Sequence, residues 1–415
     1  MLTILSALFI LAAGPADEIR ALSNHADVQA ALSTIEASQP RSLEDLVTLT
    51  EIPAPPFGER PRAEAFARMM RETGFGEVRL DAEGNVIATR KGDGDGPTVA
   101  VVAHLDTVFP EGTDVTVRRD GDSYKAPGVG DNSRGLVLLL ELARAFVAAD
   151  LRTEGDILLI GNVGEEGLGD LRGTKALFAP GAPAIDSFIA VDGGQPNRLV
   201  HGAIGSYRYR VAFEGPGGHS WGDFGDANPH HAMGRFISRF IDAADPVTRA
   251  GPKSSFNIGV IEGGTSVNSI PYSSAALVDM RSGDRERLDL LDEAMRGAAD
   301  AALGAENAWG GGRNITLKLE RIGTRPAGTT PRDAPLVQRA AEAMRAFALD
   351  PEYAASSTDA NIPISLGVPA ITLPRGGRSE GAHGLEEVWH DENTPEGTAV
   401  VLLTLLAEAR LSPPL

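Results

Sequence analysis

Four short segments of the chain are strongly apolar, and each runs into polar or glycine residues. They are Val99–Ala103, Asp156–Val163, Ser187–Val191 and Ala370–Leu373. Apolar runs of this length are typical of strands buried on both faces, as in parallel sheets. Helical periodicity fills segments between them, as in the apolar stretch Leu136–Ala149. Strands that alternate with helices predict an α/β fold with a mostly parallel sheet.

The pattern changes between residues 205 and 324. There we predict a mixture of strands and amphipathic helices, with strands at Tyr207–Glu214, Ser254–Ile261, Ala275–Arg281 and Ile315–Ile322 and helices at Pro229–Ala243 and Arg285–Leu303. The order βαββαβ is that of a ferredoxin-like α+β unit. We therefore expect residues 205–324 to form a small domain, inserted into a discontinuous α/β domain of residues 1–204 and 325–415.

The N-terminal part of the chain is predicted to be helical at Asp17–Ala37, Leu43–Glu51 and Arg60–Thr73. Before these helices, residues 1–16 contain an apolar run that ends in Gly-Pro-Ala, which makes them a candidate signal peptide. No Lys or Arg precedes the run, and the alternative is an apolar helix packed on the body. Cytoplasmic and exported locations both stay open. The run is too short for a stable membrane span.

The composition excludes several classes of protein. The chain carries 57 acidic and 38 basic residues, a net charge of −19, and has no basic block. Nucleic acid or an anionic membrane surface is therefore not expected as a partner. There is no cysteine, which excludes disulfides, zinc–thiolate sites and a cysteine nucleophile. Any metal ion would have to be held by imidazole and carboxylate groups.

Histidine and acidic residues follow the predicted buried strands. His104 comes directly after the first strand, the adjacent Glu165 and Glu166 lie between glycines after the second, and Asp192 follows the third. Because the carboxyl ends of parallel strands meet at one edge of a sheet, we expect these side chains to lie close together.

Two further candidates, Asp131 and His383, lie just before the apolar helix and in a loop near the C terminus. Two imidazoles with several carboxylates suit zinc, manganese or cobalt rather than an all-oxygen calcium or magnesium site. A carboxylate shared between two such ions would form a two-metal hydrolase. Glu165 and Glu166 face opposite ways in an extended segment, so one could bind metal while the other faces a substrate.

Seven short motifs occur in a fixed order along the chain. They are HLDTV at 104, GVGDNSRG at 128, GEEG at 164, VDGG at 191, GGHS at 217, NSIP at 268 and GAHG at 381. As a set they resemble the motifs of the peptidase M20 metallohydrolases, which include tripeptidase T, the glutamate carboxypeptidases, and deacylases of acetylornithine and succinyl-diaminopimelate. The resemblance covers roughly residues 40 to 411. It implies a dinuclear-metal hydrolase domain with an inserted lid and dimerisation domain.

The resemblance also implies a ligand set for two divalent metal ions, most simply zinc, with manganese or cobalt as alternatives. Asp131 would bridge the two ions, with His104 and Asp192 completing one site and Glu166 and His383 the other. His383 stands in GAHG, without the serine or threonine that more often follows this histidine in the family.

Other residues would carry the chemistry. By resemblance, Glu165 would be the general base that takes a proton from the attacking water, and Asp106 would orient His104. His219, in the inserted domain, matches a histidine that reaches a neighbouring active site to stabilise the tetrahedral intermediate. A homodimer through the inserted domain is therefore implied.

Three residues match substrate-binding positions of the family. Asn268 corresponds to a polar companion of His219, and Arg281 to a group that binds a substrate carboxylate. A structural salt bridge is the alternative for Arg281. Asp359 lies in Ser357–Ala360, which resembles a loop close to the substrate and could also cap a helix.

The function that we expect is metal-dependent hydrolysis of amide bonds in short peptides, as by a di- or tripeptidase or an aminopeptidase, with a metal-bound hydroxide and a glutamate base. An aspartate at position 192, rather than a glutamate, favours the peptidases of the family over the two deacylases. An N-acyl amino acid deacylase is the nearest alternative, because the same chemistry cleaves either amide. A non-catalytic binding protein on the same fold is the second alternative, although no ligand or base position is missing.

Overall fold

The computed structural model describes residues 14–412, so most of the candidate signal peptide, residues 1–13, lies outside the described residues. Within the described range the helices are α1 (Pro15–Ser23), α2 (Ala26–Ala37), α3 (Gln39–Thr50), α4 (Arg60–Thr73), α5 (Gly135–Ala148), α6 (Arg172–Leu177), α7 (Pro229–Arg249), α8 (Arg285–Trp309), α9 (Pro335–Ala346), α10 (Asn361–Ser365) and α11 (Thr394–Ala409).

The strands of the same range form two large sheets and two small ones. They are β1 (Glu77–Leu80), β2 (Val86–Arg90), β3 (Val99–His104), β4 (Arg118–Asp120), β5 (Ser123–Lys125), β6 (Ile157–Asn162), β7 (Ser187–Val191), β8 (Arg198–Ala203), β9 (Gly205–Glu214), β10 (Gly218–His219), β11 (Ser254–Gly263), β12 (Ser269–Ile270), β13 (Ser273–Ser282), β14 (Thr316–Arg325), β15 (Gly328–Thr329), β16 (Glu352–Ser356), β17 (Ala370–Leu373), β18 (Arg378–Glu380) and β19 (Val388–His390).

The central sheet has the strand order β1-β2-β6-β3-β7-β17-β8-β15, and β16 also pairs with β8. Its four middle strands, β6, β3, β7 and β17, are parallel to one another. Their carboxyl ends therefore lie at the same edge of the sheet, where open α/β sheets place their ligands. The predicted mostly parallel sheet is confirmed.

The side chains of β3 show why this strand is apolar along its whole length. Val99, Val101 and Ala103 belong to the core that includes α5 and α11, whereas Ala100 and Val102 belong to a second core on the opposite face. Successive side chains of a strand point to opposite faces, so a sheet covered on both sides requires apolar residues at every position.

Residues 205–325 build the second large sheet, with the strand order β11-β13-β9-β14 and antiparallel pairing throughout. Helices α7 and α8 cover one face of it, and Phe213, Phe236, Phe240 and Met295 meet in their shared core. This arrangement matches the predicted βαββαβ unit, and the fold class is confirmed. The first strand, β9, and the last strand, β14, are antiparallel neighbours, with Ser206 opposite Arg325. The chain therefore enters and leaves the unit at the same place.

The prediction of one helix over Asp17–Ala37 is wrong, because the structure divides it into α1 and α2. The side-chain amide of Asn24 donates to the carbonyl oxygen of Arg20 at 2.9 Å and ends α1, and His25 is extended. Asn competes for backbone groups in this way at helix ends. None of the helices within residues 14–412 is long and apolar enough to cross a membrane.

Candidate active site

His104 ends β3 with both ring nitrogens close to oxygen atoms. Nδ1 donates to the backbone carbonyl of Asp106 at 2.9 Å, and Nε2 lies 3.2 Å from Oδ1 of Asp131. With the Nδ1 proton committed to a carbonyl, a lone pair on Nε2 would face a carboxylate oxygen. Only a proton or a metal ion between these two atoms makes their approach favourable.

The other oxygen of Asp131 faces a second histidine. His383 lies in the loop between β18 and β19, and its Nε2 is 3.5 Å from Oδ2 of Asp131 and 3.0 Å from Oε1 of Glu166. The two oxygens of one carboxylate thus serve two neighbouring imidazoles. This is the placement expected of a group shared between two ions.

All five predicted metal ligands take part in these clusters. Possible ligand atoms lie within 4.8 Å of one another in three groups of the described residues. Two of them, His104–Asp131–Asp192 and Asp131–Glu166–His383, together contain all five predicted ligands, and the third is His104–Glu165–Glu166. Two ligands of a tetrahedral zinc ion, each about 2.0–2.1 Å from it, lie roughly 3.3 Å apart, close to the separations seen here. The donor set therefore fits two divalent ions of the zinc, manganese or cobalt type.

The electrostatics of the cluster favour bound cations. Hydrogen bonds to Asp131 and then Glu166 raise the pKa of His383 to about 10. Burial acts to raise the pKa of Asp131, but Arg375 and the two histidines hold it well below its ordinary value. The carboxylates that attract these protons would attract a divalent ion in the same way.

Glu165 lies beside this cluster with its carboxylate almost fully buried. Nη1 of Arg325, the last residue of β14, donates to Oε1 of Glu165 at 2.9 Å and to Oγ of Ser357 at 3.1 Å. Burial raises the pKa of Glu165 well above its ordinary value, although Arg325 acts in the opposite direction. A raised pKa suits a carboxylate that must accept a proton near neutral pH.

The carboxylate of Asp106 holds the two glutamates rather than the histidine ring. Its carboxylate accepts the backbone N–H of Glu165 at 3.1 Å and that of Glu166 at 2.7 Å. The same carboxylate is 3.8 Å from Nδ1 of His104, which bonds instead to the Asp106 carbonyl. Asp106 therefore orients His104 through its backbone and the Glu165–Glu166 segment through its side chain.

Comparison with known proteins identifies the chain. The sequence model of Peptidase family M20/M25/M40 matches residues 100–407, which are most of the chain. The chain belongs to the peptidase M20 family. Members of this family are hydrolytic enzymes, metal-dependent and generally dinuclear.

Individual M20 relatives are distant in sequence. The uncharacterized protein YqjE of Bacillus subtilis is 24% identical over 278 residues, which are 64% of this chain and 72% of that protein. A succinyl-diaminopimelate desuccinylase of Paracoccus denitrificans is 27% identical over 257 residues, 58% of this chain and 66% of that enzyme. The crystal structure of a tripeptidase from Staphylococcus aureus is 20% identical with a TM-score of 0.72, covering 89% of this chain and 98% of that one, which shows the same fold.

A cavity of about 1060 Å³ opens over the ligand cluster of this M20 enzyme. Its floor includes Glu165 and Glu166, and its far wall comes from the inserted unit. That wall is cationic: Lys253 and Arg281 line it, and Arg281 donates to Asp279 at 2.7 Å. Arg281 therefore makes a salt bridge, which was the alternative hypothesis for this residue. Its side chain still borders the cavity.

His219 and Asn268 lie together but apart from this cavity. His219 is in β10, which pairs with β12, and the carbonyl oxygen of Asn268 accepts the backbone N–H of Ser220 at 3.0 Å. Neither residue is among the described residues that line the cavity. Gly218–Gly222 also has the form Gly-x-Ser-x-Gly, but it lies in a short strand and turn rather than at a strand-to-helix elbow.

Asp359 is buried behind the cavity wall. Its Oδ1 accepts from Nδ2 of Asn162 at 2.8 Å and from Oγ1 of Thr174 at 2.5 Å, and burial raises its pKa to about 6. Its neighbours Ser357 and Thr358 border the cavity instead. The carboxylate of Asp359 thus ties the Ser357 loop to the end of β6, next to the glutamates.

Three residues of the site were not found from the sequence. Arg325 pairs with Glu165, and Arg375 donates to Asp131 at 2.9 Å. Glu387 accepts the backbone N–H groups of Gly128 and Asp131 at 2.9 and 2.8 Å, fixing the turn that carries Asp131. Of these three residues, only Arg375 could have been recognised from the sequence, because it follows a predicted buried strand at the edge where the other candidates lie.

Proposed function

We propose that this M20 enzyme cleaves the amide bond of short peptides that carry a free carboxylate, by metal-dependent hydrolysis. The observation that carries the proposal is the position of Glu165. Its buried carboxylate borders the cavity beside five side chains able to hold two metal ions. A base, a pair of cation sites and a substrate-sized cavity thus occur together.

Two divalent ions, most simply zinc, would be held by His104, Asp131, Asp192, Glu166 and His383. When bound, such ions polarise a scissile carbonyl and lower the pKa of water. Glu165 takes the proton of the attacking water and passes it to the leaving amine. Arg325 fixes the direction of Glu165 through the 2.9 Å hydrogen bond to Oε1.

The cationic wall supports a substrate with a carboxylate. Arg198, Lys253 and Arg281 border the cavity, and within the described residues Lys253 has no ion-pair partner within 4.0 Å. The Arg281 guanidinium is shared with Asp279 and is still partly exposed. A peptide whose scissile amide lies over the ligand cluster would direct its carboxylate toward this wall.

Hydrolysis assays with the metal-loaded enzyme test the proposal. We expect tripeptides with a free C-terminal carboxylate to be cleaved, chelation to abolish cleavage, and C-terminal amidation to lower kcat/KM. Mass spectrometry of peptides, their amides and N-acyl amino acids offered together gives all three results. Higher kcat/KM for N-acyl amino acids than for any peptide would make the enzyme a deacylase. Bound metal without hydrolysis of either class would make it a binding protein.

We propose that the inserted unit, residues 205–324, acts as a lid and dimerisation domain that carries His219 to the cavity of the partner subunit. Nδ1 of His219 accepts the backbone N–H groups of Trp221 at 3.2 Å and Gly222 at 3.3 Å. The proton of the neutral ring is then on Nε2, which makes His219 a donor for an oxyanion.

Mixing two inactive variants tests action across the dimer. His219→Ala and Glu165→Ala subunits should together form heterodimers with one complete site, giving about a quarter of wild-type activity after random exchange. Activity of each variant alone and native mass spectrometry of the mixture are the controls. Heterodimers that form without regaining activity would show that His219 does not act across the dimer.

A further inference from the structure

A buried arginine stands against one of the two ligand groups. Arg375 follows β17, and its side chain is only 3% exposed. Nη1 of Arg375 lies 2.9 Å from Oδ1 of Asp131 and 3.1 Å from Oδ1 of Asp192. A guanidinium does not lose its proton in proteins, so a permanent positive charge is fixed inside this acidic cluster.

The charge is not shared equally between the two ligand groups. Arg375 contacts Oδ1 of Asp131, the oxygen that faces His104, and not Oδ2, which faces His383. Within residues 14–412, Glu166 has no Lys or Arg within 4.0 Å, and His383 is its ion-pair partner. One group therefore contains a built-in cation, whereas the other does not.

We propose that Arg375 makes the His104–Asp131–Asp192 site the weaker of the two metal sites, so that the first ion occupies Asp131–Glu166–His383 and the second binds with lower affinity. The inference depends on the proposed metal-dependent function. A fixed positive charge in contact with two of three ligands repels a dication and competes for their oxygens. The second ion would then be exchangeable, and its occupancy would follow the supply of free metal.

Titration of the metal-free wild-type enzyme with Mn²⁺, followed by electron paramagnetic resonance, tests the order of filling. We expect an isolated-ion signal up to one equivalent and a spin-coupled pair only beyond it, with dissociation constants separated by roughly tenfold or more. His383→Ala should weaken the first binding event, and His104→Ala the second. Pairwise filling from the first addition, or the reverse pattern in the two variants, would overturn the proposal.

Substitution of Arg375 tests the cause. Arg375→Gln keeps an N–H donor without the charge and should raise the metal affinity of the second site by roughly tenfold. Arg375→Lys keeps the charge and should leave the difference in affinity between the two sites unchanged. Calorimetry with Zn²⁺ and metal analysis after graded dialysis are the readouts. Arg378→Gln is the matched control, because Arg378 lies three residues away and pairs with Glu392 at the surface.

The outcomes separate this inference from the proposed function. Weaker or unchanged binding of the second ion in Arg375→Gln would show that Arg375 only holds the ligands in place, and the inference would be wrong while metal-dependent hydrolysis stood. Absence of any divalent-ion binding to the wild-type enzyme would overturn both. If Arg375→Gln does not fold, the wild-type Mn²⁺ titration alone decides.

Discussion

Glu165→Gln is expected to lower kcat by about 10²–10⁴-fold while the enzyme keeps both metal ions. Glutamine has the shape of glutamate, and its carbonyl oxygen can still accept the hydrogen bond that Arg325 donates to Oε1. The geometry of the cavity is therefore retained. What is lost is the group that accepts and returns a proton, so the loss falls on kcat rather than on KM.

Metal analysis and steady-state kinetics on one preparation check this result. Glu386→Gln provides a matched control, because Glu386 is exposed and pairs with Lys125 at the surface. Glu165 also belongs to a ligand group with His104 and Glu166, so the assignment of the two glutamates is open to test. If Glu165→Gln lost both its metal and its activity, Glu165 would be the metal ligand and Glu166 the base.

Arg134→Met is expected to lower the free energy of unfolding by about 3–5 kcal/mol. The motif containing Arg134 leads from the Asp131 turn into α5. In the structure the guanidinium is fully buried, and Nη2 donates to Glu141 at 2.8 Å and to Thr398 at 3.2 Å. Removing the arginine leaves the Glu141 carboxylate buried without a cation, with neutral hydrogen bonds from Thr398 and Gln39 as its remaining contacts. This is the costly way to break such a pair.

The double variant Arg134→Met, Glu141→Leu identifies the cause. Because both charges are then gone, we expect most of the lost stability to return. Urea unfolding of the single and double variants measures it, with Arg345→Met as control for a surface pair with Glu342. If Arg134→Met lowered the free energy of unfolding by less than about 1 kcal/mol, this buried pair would contribute no more than an ordinary surface ion pair.

The parts of the site that follow buried strands could be predicted from the sequence. His104 ends β3, Glu166 and Asp192 follow β6 and β7, and the parallel sheet brings these strand ends to one edge. The physical reason is general: a strand buried on both faces is apolar, so the first polar side chain after it marks the edge of the sheet. The inserted unit was predictable for a similar reason, because its strands and helices have distinct periods.

Contacts that join distant loops could not be predicted in this way. Glu387 reaches Asp131 across 256 residues of sequence, and Arg325 reaches Glu165 across 160. Neither lies at a position with a recognisable period or motif. Short strands such as β16 and β18 were missed because they are only partly buried and too short to show alternation. The domain boundaries and the roles of the site residues stay predictions.

The pairing of Arg325 with Glu165 joins the two large sheets of the structure. Arg325 is the last residue of β14, the strand that leads out of the inserted unit, whereas Glu165 follows β6 of the central sheet. The backbone N–H of Thr324 also donates to Asp170, in the loop after Glu165, at 2.8 Å. A swing of the insertion away from the sheet therefore withdraws the guanidinium from the base. In such a motion, substrate entry and the unlocking of the proton acceptor would be one mechanical step.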